Sequence, residues 1–200
     1  MGNNAFEACK ISSVNLTGST ITTIPNSAFC NISTLTTATV PTSVTEIVWR
    51  AFGDDSALTT VSGLSNVTII GGHAFESCSN LTTVDIDWTK ITNIGESAFY
   101  GCSLLSSAIT IQNTVTYIGN KAFYNCRNIS SITFQTGGSN ALTIDGDLWD
   151  GPFRGTYSVN KIIFPENLSL LTAGALNIDN DETKIFVFTS TTPPSIVGGG

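Results

Sequence analysis

His73 is the single histidine of the chain, so a His-based general base or a catalytic triad would have to run through it. It stands directly before Ala74-Phe75, where other stretches of the chain carry Ser27, Arg50, Ser97 and Lys121. That slot tolerates many side chains and reads as an exposed entry to a turn, which suits a structural or solvated histidine. Five cysteines raise the question of disulfides or metal. No Cys-x-x-Cys pair and no second histidine supply the donor set that zinc requires.

Carboxylates gather in Asp145-Gly146-Asp147-Leu148-Trp149-Asp150-Gly151, and alternating acids before a glycine are the kind of oxygen donors that calcium takes. The later bidentate Glu of such a loop is missing, so no metal site is expected. Asn177, Asp179, Asp181 and Glu182 form a second acidic patch with the same weakness. Six Asn-x-Ser/Thr triplets begin at Asn15, Asn31, Asn66, Asn80, Asn128 and Asn167, which repeat grammar explains in a bacterial protein and which would carry glycans in a eukaryotic host. With no nucleophile–base pair, metal set or phosphate loop, the sequence predicts no enzyme and no cofactor.

Composition narrows the partners. Only 12% of the residues are charged, the formal net charge is −7, and the eight Lys and Arg are scattered. A phosphate-binding stripe needs clustered cations, so nucleic acid and anionic membrane surfaces are poor partners. No apolar run approaches the roughly 20 residues of a membrane span. The N-terminus has no basic and apolar leader, and both ends read as cuts in a longer protein. Hydrophobic residues make up 41% of the chain, enough for a continuous core, and the Thr, Val and Ile content leans towards β structure.

The elements that must hold these residues are set by a repeat. Phe6, Phe29, Phe52, Phe75, Phe99 and Phe123 each follow an alanine, and Phe153 and Leu176 occupy the same slot in degenerate copies. The spacings are 23, 23, 23, 24, 24, 30 and 23 residues. Five residues before each anchor stand Ile24, Ile47, Ile70, Ile94, Ile118, Leu148 and Leu171; six after stand Leu35, Leu58, Leu81, Leu105, Ile129 and Val159. Nine after the anchor a strand with one buried face begins, as in Thr83-Val84-Asp85-Ile86. A unit this short cannot bury its apolar side alone, so neighbours must stack with their strands in parallel, about 4.8 Å apart. Cys9, Cys78, Cys102 and Cys126 share the slot three after the anchor with Ile32, which predicts small buried core thiols instead of disulfides. Cys30 falls outside that column.

The consensus Ile-Gly-x-x-Ala-Phe-x-x-Cys-x-x-Leu-x-x-Val-x-Ile, best seen over Ile94–Cys102 and Ile118–Cys126, resembles the BspA-like class of leucine-rich repeats. The resemblance implies an α/β-horseshoe type, β-rich leucine-rich-repeat solenoid: about eight coils of 23–24 residues, with a parallel sheet and short helical turns. It would occupy residues 1–188, with 189–200 a tail or linker. It also implies a surface or secreted, non-enzymatic bacterial module that adheres to protein or glycan on a host or neighbouring cell. A spacer that presents another domain is the rival reading.

One outward residue per coil lies between the two inward strand residues: Asn15, Thr39, Ser62, Asp85, Thr133, Ile163 and Phe186. The expected binding face is therefore Thr39, Ser62, Asp85 and Thr133, continuing to Ile163, Phe186 and Phe188. The apolar end of that row has two explanations. It is a partner site, or it is an end that further chain covers.

Overall fold

The computed structural model describes residues 1–106, 108–137, 140–147, 149–159, 161–172, 174–176, 185–189 and 194–197. Two short strands per coil stack into two rows. The first row holds β1 (Ser13–Asn15), β3 (Thr37–Thr39), β5 (Thr60–Ser62), β7 (Thr83–Val84), β9 (Ile109–Ile111), β11 (Ile132–Phe134), β13 (Lys161–Phe164) and β15 (Ile185–Phe188). The second holds β2 (Thr23–Ile24), β4 (Glu46–Ile47), β6 (Ile69–Ile70), β8 (Asn93–Ile94), β10 (Tyr117–Ile118), β12 (Leu142–Ile144), β14 (Leu168–Thr172) and β16 (Ser195–Val197). Strand pairing is parallel throughout. The second row is one continuous eight-stranded sheet, while the first is divided into β1-β3-β5-β7, β9-β11 and β13-β15.

Eight strands in a row make seven full turns from β1 to β15, in keeping with the repeat count. β16 falls inside the stretch expected to be a tail, and it pairs with β14, so the stack includes Ser195–Val197.

The core is a set of columns. Phe29, Phe52, Phe75, Phe99 and Phe123 are fully buried and stack face to face at 5.2–5.5 Å. Beside them run the buried Ile24–Ile118 and Leu35–Ile129 columns read from the sequence. In the long unit the register differs from expectation. Ile144 pairs with Ile118 and is buried, taking the place assigned to Leu148, which lies outside the described residues.

The expected helical turns are absent: among the described residues there is no helix. The reason is a pair of left-handed residues flanking each anchor from Phe6 to Phe123. Ser27, Arg50, His73, Ser97 and Lys121, two before it, have φ of 50–58°. Asn31, Asp54, Ser77, Gly101 and Asn125, two after it, have φ of 58–72°. A right-handed helix cannot pass through such residues. Instead, alternate amides of the turn donate across to the next coil, as Ser27 N to Trp49 O, Phe29 N to Ala51 O and Asn31 N to Gly53 O do at 2.8–2.9 Å. The anchor turns thus form a third ladder between coils.

Threonine supplies two more. Thr36, Thr59 and Thr82 each donate a hydroxyl to the carbonyl one coil back, at 2.9–3.1 Å. Thr68, Thr92 and Thr116 do the same beside the second row, at 3.1–3.2 Å. The abundant threonine is therefore partly internal mortar, a role the composition alone did not distinguish from surface polarity.

All five cysteines are free. Cys78, Cys102 and Cys126 donate their S–H to the carbonyls of Phe52, Phe75 and Phe99, one coil back, at 2.9–3.0 Å. Burial pushes all three thiols up from their ordinary pKa. Cys30 is buried as well, whereas Cys9 is exposed. In a thiol titration with an aromatic disulfide, one group per chain, Cys9, is expected to react at once. The other four should wait for denaturant, and a second fast thiol in the native protein would contradict this packing.

Candidate interaction surface

His73 does not sit in a catalytic setting. Its ring is half-buried, edge-on to Trp49 at 5.6 Å, with Nδ1 3.0 Å from Glu76 Oε2. The slot is also less exposed than its variability suggests, since Ser27 and Ser97 are buried there. The acids of the long unit are occupied by the protein itself. Asp147 Oδ1 accepts the amides of Trp149 and Asp150 at 2.9 and 2.7 Å, and Oδ2 accepts Asn120 Nδ2 at 2.9 Å. Burial acts to raise its pKa, but these bonds and Lys121 outweigh it and hold the carboxyl down to about 2. Asp150 pairs with Lys121 at 3.2 Å and Arg154 at 2.6 Å, and Asp145 accepts Thr172 Oγ1 at 2.7 Å and Tyr117 OH at 3.1 Å. The stretch acts as a clasp for the 30-residue unit. The second acidic patch, Asn177, Asp179, Asp181 and Glu182, lies outside the described residues.

What remains is the outer face of the first strand row. Pairing aligns Ser13, Thr37, Thr60 and Thr83 in one line and Asn15, Thr39 and Ser62 in another. Ser62 Oγ donates to Thr39 Oγ1 at 3.2 Å, so neighbouring hydroxyls on this face already satisfy each other. Asp85 is placed beside this line but is used differently from expectation. Its two oxygens accept the amides of Gly63 and Leu64, both at 2.8 Å, where earlier coils use a backbone carbonyl (Leu16 N to Thr39 O, Val40 N to Ser62 O). Asp85 therefore caps a turn, and β7 ends at Val84.

Further along, Thr110 joins the row through its pairing with Thr133. The expectation that Phe186 and Phe188 face outward is corrected by the pairing of β13 with β15. Phe186 aligns with the buried Ile162 and Phe188 with the buried Phe164, so both belong to the inward line. Phe186 packs against the core; Phe188 stacks on Phe164 at 5.1 Å but stays 42% exposed, so of its expected place the direction changes and the exposure does not. Ile163 keeps its outward place, partnered by Val187, and is 37% exposed. Every position of Ile185-Phe186-Val187-Phe188 is apolar, so alternation could not choose the register, and a slip of one residue reverses every side chain.

The first-row sheet is interrupted between β11 and β13, where the long unit intervenes. There a shallow depression of about 210 Å³ opens, lined by Ser131, Ile132, Thr133, Lys161 and Ile163. A second, of about 400 Å³, lies at the turns beside Thr39, with Thr17, Ser19, Thr42, Ser43 and Gly63 on its walls. Thr39, Thr133 and Ile163 of the expected face thus border concave surface, while Asp85, Phe186 and Phe188 carry structural duties. Sequence reasoning missed Asp55, which is wholly buried. Its position three after Phe52, in the cysteine column, was the available signal.

A comparison with curated proteins finds no match. Among solved structures, the chain is similar to the leucine-rich repeat protein TpLRR of T. pallidum, at 23% identity and a TM-score of 0.62, covering 80% of this chain and 70% of that one. It is also similar to a leucine-rich repeat protein of Bacteroides ovatus, at 23% identity and a TM-score of 0.65, covering 82% of this chain but 45% of that longer one. At this identity the likeness bears on the fold, a leucine-rich-repeat solenoid. The family model of the BspA type leucine-rich repeat region matches in six copies, over residues 1–109 and 50–182. The anchors, the cysteine column and the two strand rows recur with the period of that repeat, and the chain belongs to the BspA type leucine-rich repeat family.

Proposed function

We propose that this chain is a non-catalytic interaction module of a bacterial surface or secreted protein, binding protein or glycan on a host or neighbouring cell through its first-row sheet face. The observation that carries the reading is the depression at the β11–β13 interruption, where Thr133, Lys161 and Ile163 offer hydroxyl, cationic and apolar contact side by side. Binding sites need such concave, mixed ground, and a fold of this kind does not fix function without it. The tied-up histidine and carboxylates support a role without chemistry. Among the described residues no helix is long and apolar enough to cross a membrane.

A double Thr133→Glu, Ile163→Glu variant tests the proposal against a glycan array and a panel of purified extracellular host proteins. For whatever ligand the parent binds, the variant is expected to lose at least about tenfold in affinity, about 1.4 kcal/mol, with an unchanged melting temperature. Equal affinity in the folded variant would move the site off this face. The ladders of threonine hydroxyls support a second reading, a stiff spacer that presents another domain. That reading gains if the parent binds nothing in either panel.

A further inference from the structure

Asp55 occupies the column in which the later coils carry cysteine. Cys78, Cys102 and Cys126 each send a proton to the anchor carbonyl one coil back. Asp55 stands 26 residues after Phe29, the same separation as Cys78 from Phe52. Its residue is 0% exposed. Oδ1 accepts the Ile32 amide at 2.6 Å, and Oδ2 has no partner. In the cysteine coils the equivalent amides of Cys78 and Cys102 also lie against the sulfur of the next coil's cysteine, and they keep a bond to their own anchors, Phe75 O and Phe99 O, at 3.2 and 3.1 Å. The Ile32 amide makes the first of these contacts, to Asp55, without the second. Among the described residues no donor reaches the Phe29 carbonyl. Two oxygens of adjacent coils, Asp55 Oδ2 and Phe29 O, thus lack a proton at register positions that a thiol proton joins three times elsewhere.

We propose that Asp55 folds as a neutral carboxylic acid whose Oδ2–H donates to the Phe29 carbonyl, making this proton a pH-sensitive joint between the second and third coils. An ionised Asp55 would leave two acceptors of the buried Asp55 and Phe29 without a donor and a charge without a counterion. The neighbouring groups offer no relief. Asp54 adds negative charge, Cys30 and Cys78 are thiols raised by burial, and the Arg50 guanidinium is engaged by Asp54 and Glu76. Burial, opposed by the Ile32 hydrogen bond and reinforced by Asp54, pushes the Asp55 carboxyl up to about 8. In the unfolded chain an aspartate titrates near about 3.9, so between these values the folded state holds one more proton than the unfolded state. Stability from this group is then complete at low pH and lost as pH rises through about 8.

Asp55→Asn isolates the effect, because its amide can donate to Phe29 O and its oxygen can accept from Ile32 at any pH. Between pH 6 and 9 the folding equilibrium constant of the parent is expected to fall about a hundredfold relative to that of D55N. Taking the ratio removes the titrations that the two proteins share. Infrared difference spectroscopy on the parent should show a protonated carboxyl C=O stretch at pH 6 that fades as pH rises through about 8. If D55N does not fold, the parent's infrared band decides alone, with Asp55→Cys as the second variant that restores the column. No such band at pH 6, or parallel pH dependence of the parent and a folded variant, would overturn the proposal.

Discussion

Replacing Phe99 by alanine is expected to destabilise the protein by about 3–5 kcal/mol, among the heaviest losses of any single side chain in the stack. The ring is fully buried, stacked on Phe75 at 5.2 Å and on Phe123 at 5.5 Å. Each coil of a solenoid is held chiefly by its two neighbours, so removing a central anchor weakens two interfaces at once. The surroundings cannot easily collapse to fill the space. Phe75 and Phe123 are fixed by their own turns, whose amides ladder to the neighbouring coils. Trp88, tilted towards Phe99 at 6.1 Å, provides a local reporter. Denaturant melts followed by Trp fluorescence and by circular dichroism should both shift to lower midpoints, and Phe99→Leu should recover part of the loss. A cost below about 1.5 kcal/mol for F99A would mean that the aromatic column is ornament and that the ladders carry the stack.

That column is also the part of the fold most legible in the sequence. A residue recurring every 23 or 24 positions with flanking apolar columns admits few structures other than a stack, and the first strand row follows from the alternation nine residues later. The turn conformation was not legible. Ser, Arg, His and Lys before the anchor look like helix-compatible residues, and nothing in their chemistry announces a positive φ. Only the competition between an intracoil helix and hydrogen bonds to the next coil decides it, and that competition is tertiary. The sheet face was half legible. Thr39, Thr133 and Ile163 lie on exposed or concave ground, whereas Asp85 is drawn into a cap, Phe186 packs on the core and Phe188, still exposed, aligns with the buried Phe164. In each case the misreading came where the repeat changes length or loses its alternation, so that counting residues no longer fixes the register.

Irregularity in the repeat and the proposed binding ground coincide for a physical reason. Where the first units match in length, β1, β3 and β5 pair in register and Ser62 donates to Thr39, so that concave ground lies at the turns and not on the sheet face. The 30-residue unit stands at the second of the two breaks in the first-row sheet, between β11 and β13, and is held by a clasp in which Asp147 and Asp150 pair with Lys121 and Arg154 while Asp145 accepts from Thr172 and Tyr117. The break is also where a depression with mixed chemistry opens. A solenoid acquires a distinctive surface by departing from its own period, and the departures, not the consensus, are where a partner would find something to recognise.

Gly63→Ala is expected to be the most damaging of the smallest substitutions, and Gly18→Ala is its control. Both glycines hold positive φ, +87° at Gly63 and +85° at Gly18, so alanine pays a similar torsional penalty of about 1–2 kcal/mol at each. Their surroundings differ. A Cβ on Gly18 meets nothing within 4 Å, whereas one on Gly63 falls 2.9 Å from the Val40 carbonyl carbon and nearer still to its oxygen. Both are backbone atoms of the preceding coil and cannot rotate away, so the two coils must part, at a further cost of about 1–3 kcal/mol. Parting them also disturbs the cap, because the amides of Gly63 and Leu64 are the two that Asp85 accepts. Gly63 lines the concavity beside Thr39 as well, so the same movement reshapes the outer face. Thermal melts should therefore place G63A well below G18A, and the Leu64 amide should lose hydrogen-exchange protection in G63A alone. Equal melting temperatures would show that torsion, shared by both sites, accounts for the whole effect. The close approach of Gly63 to Val40 would then play no part in holding the coils in register.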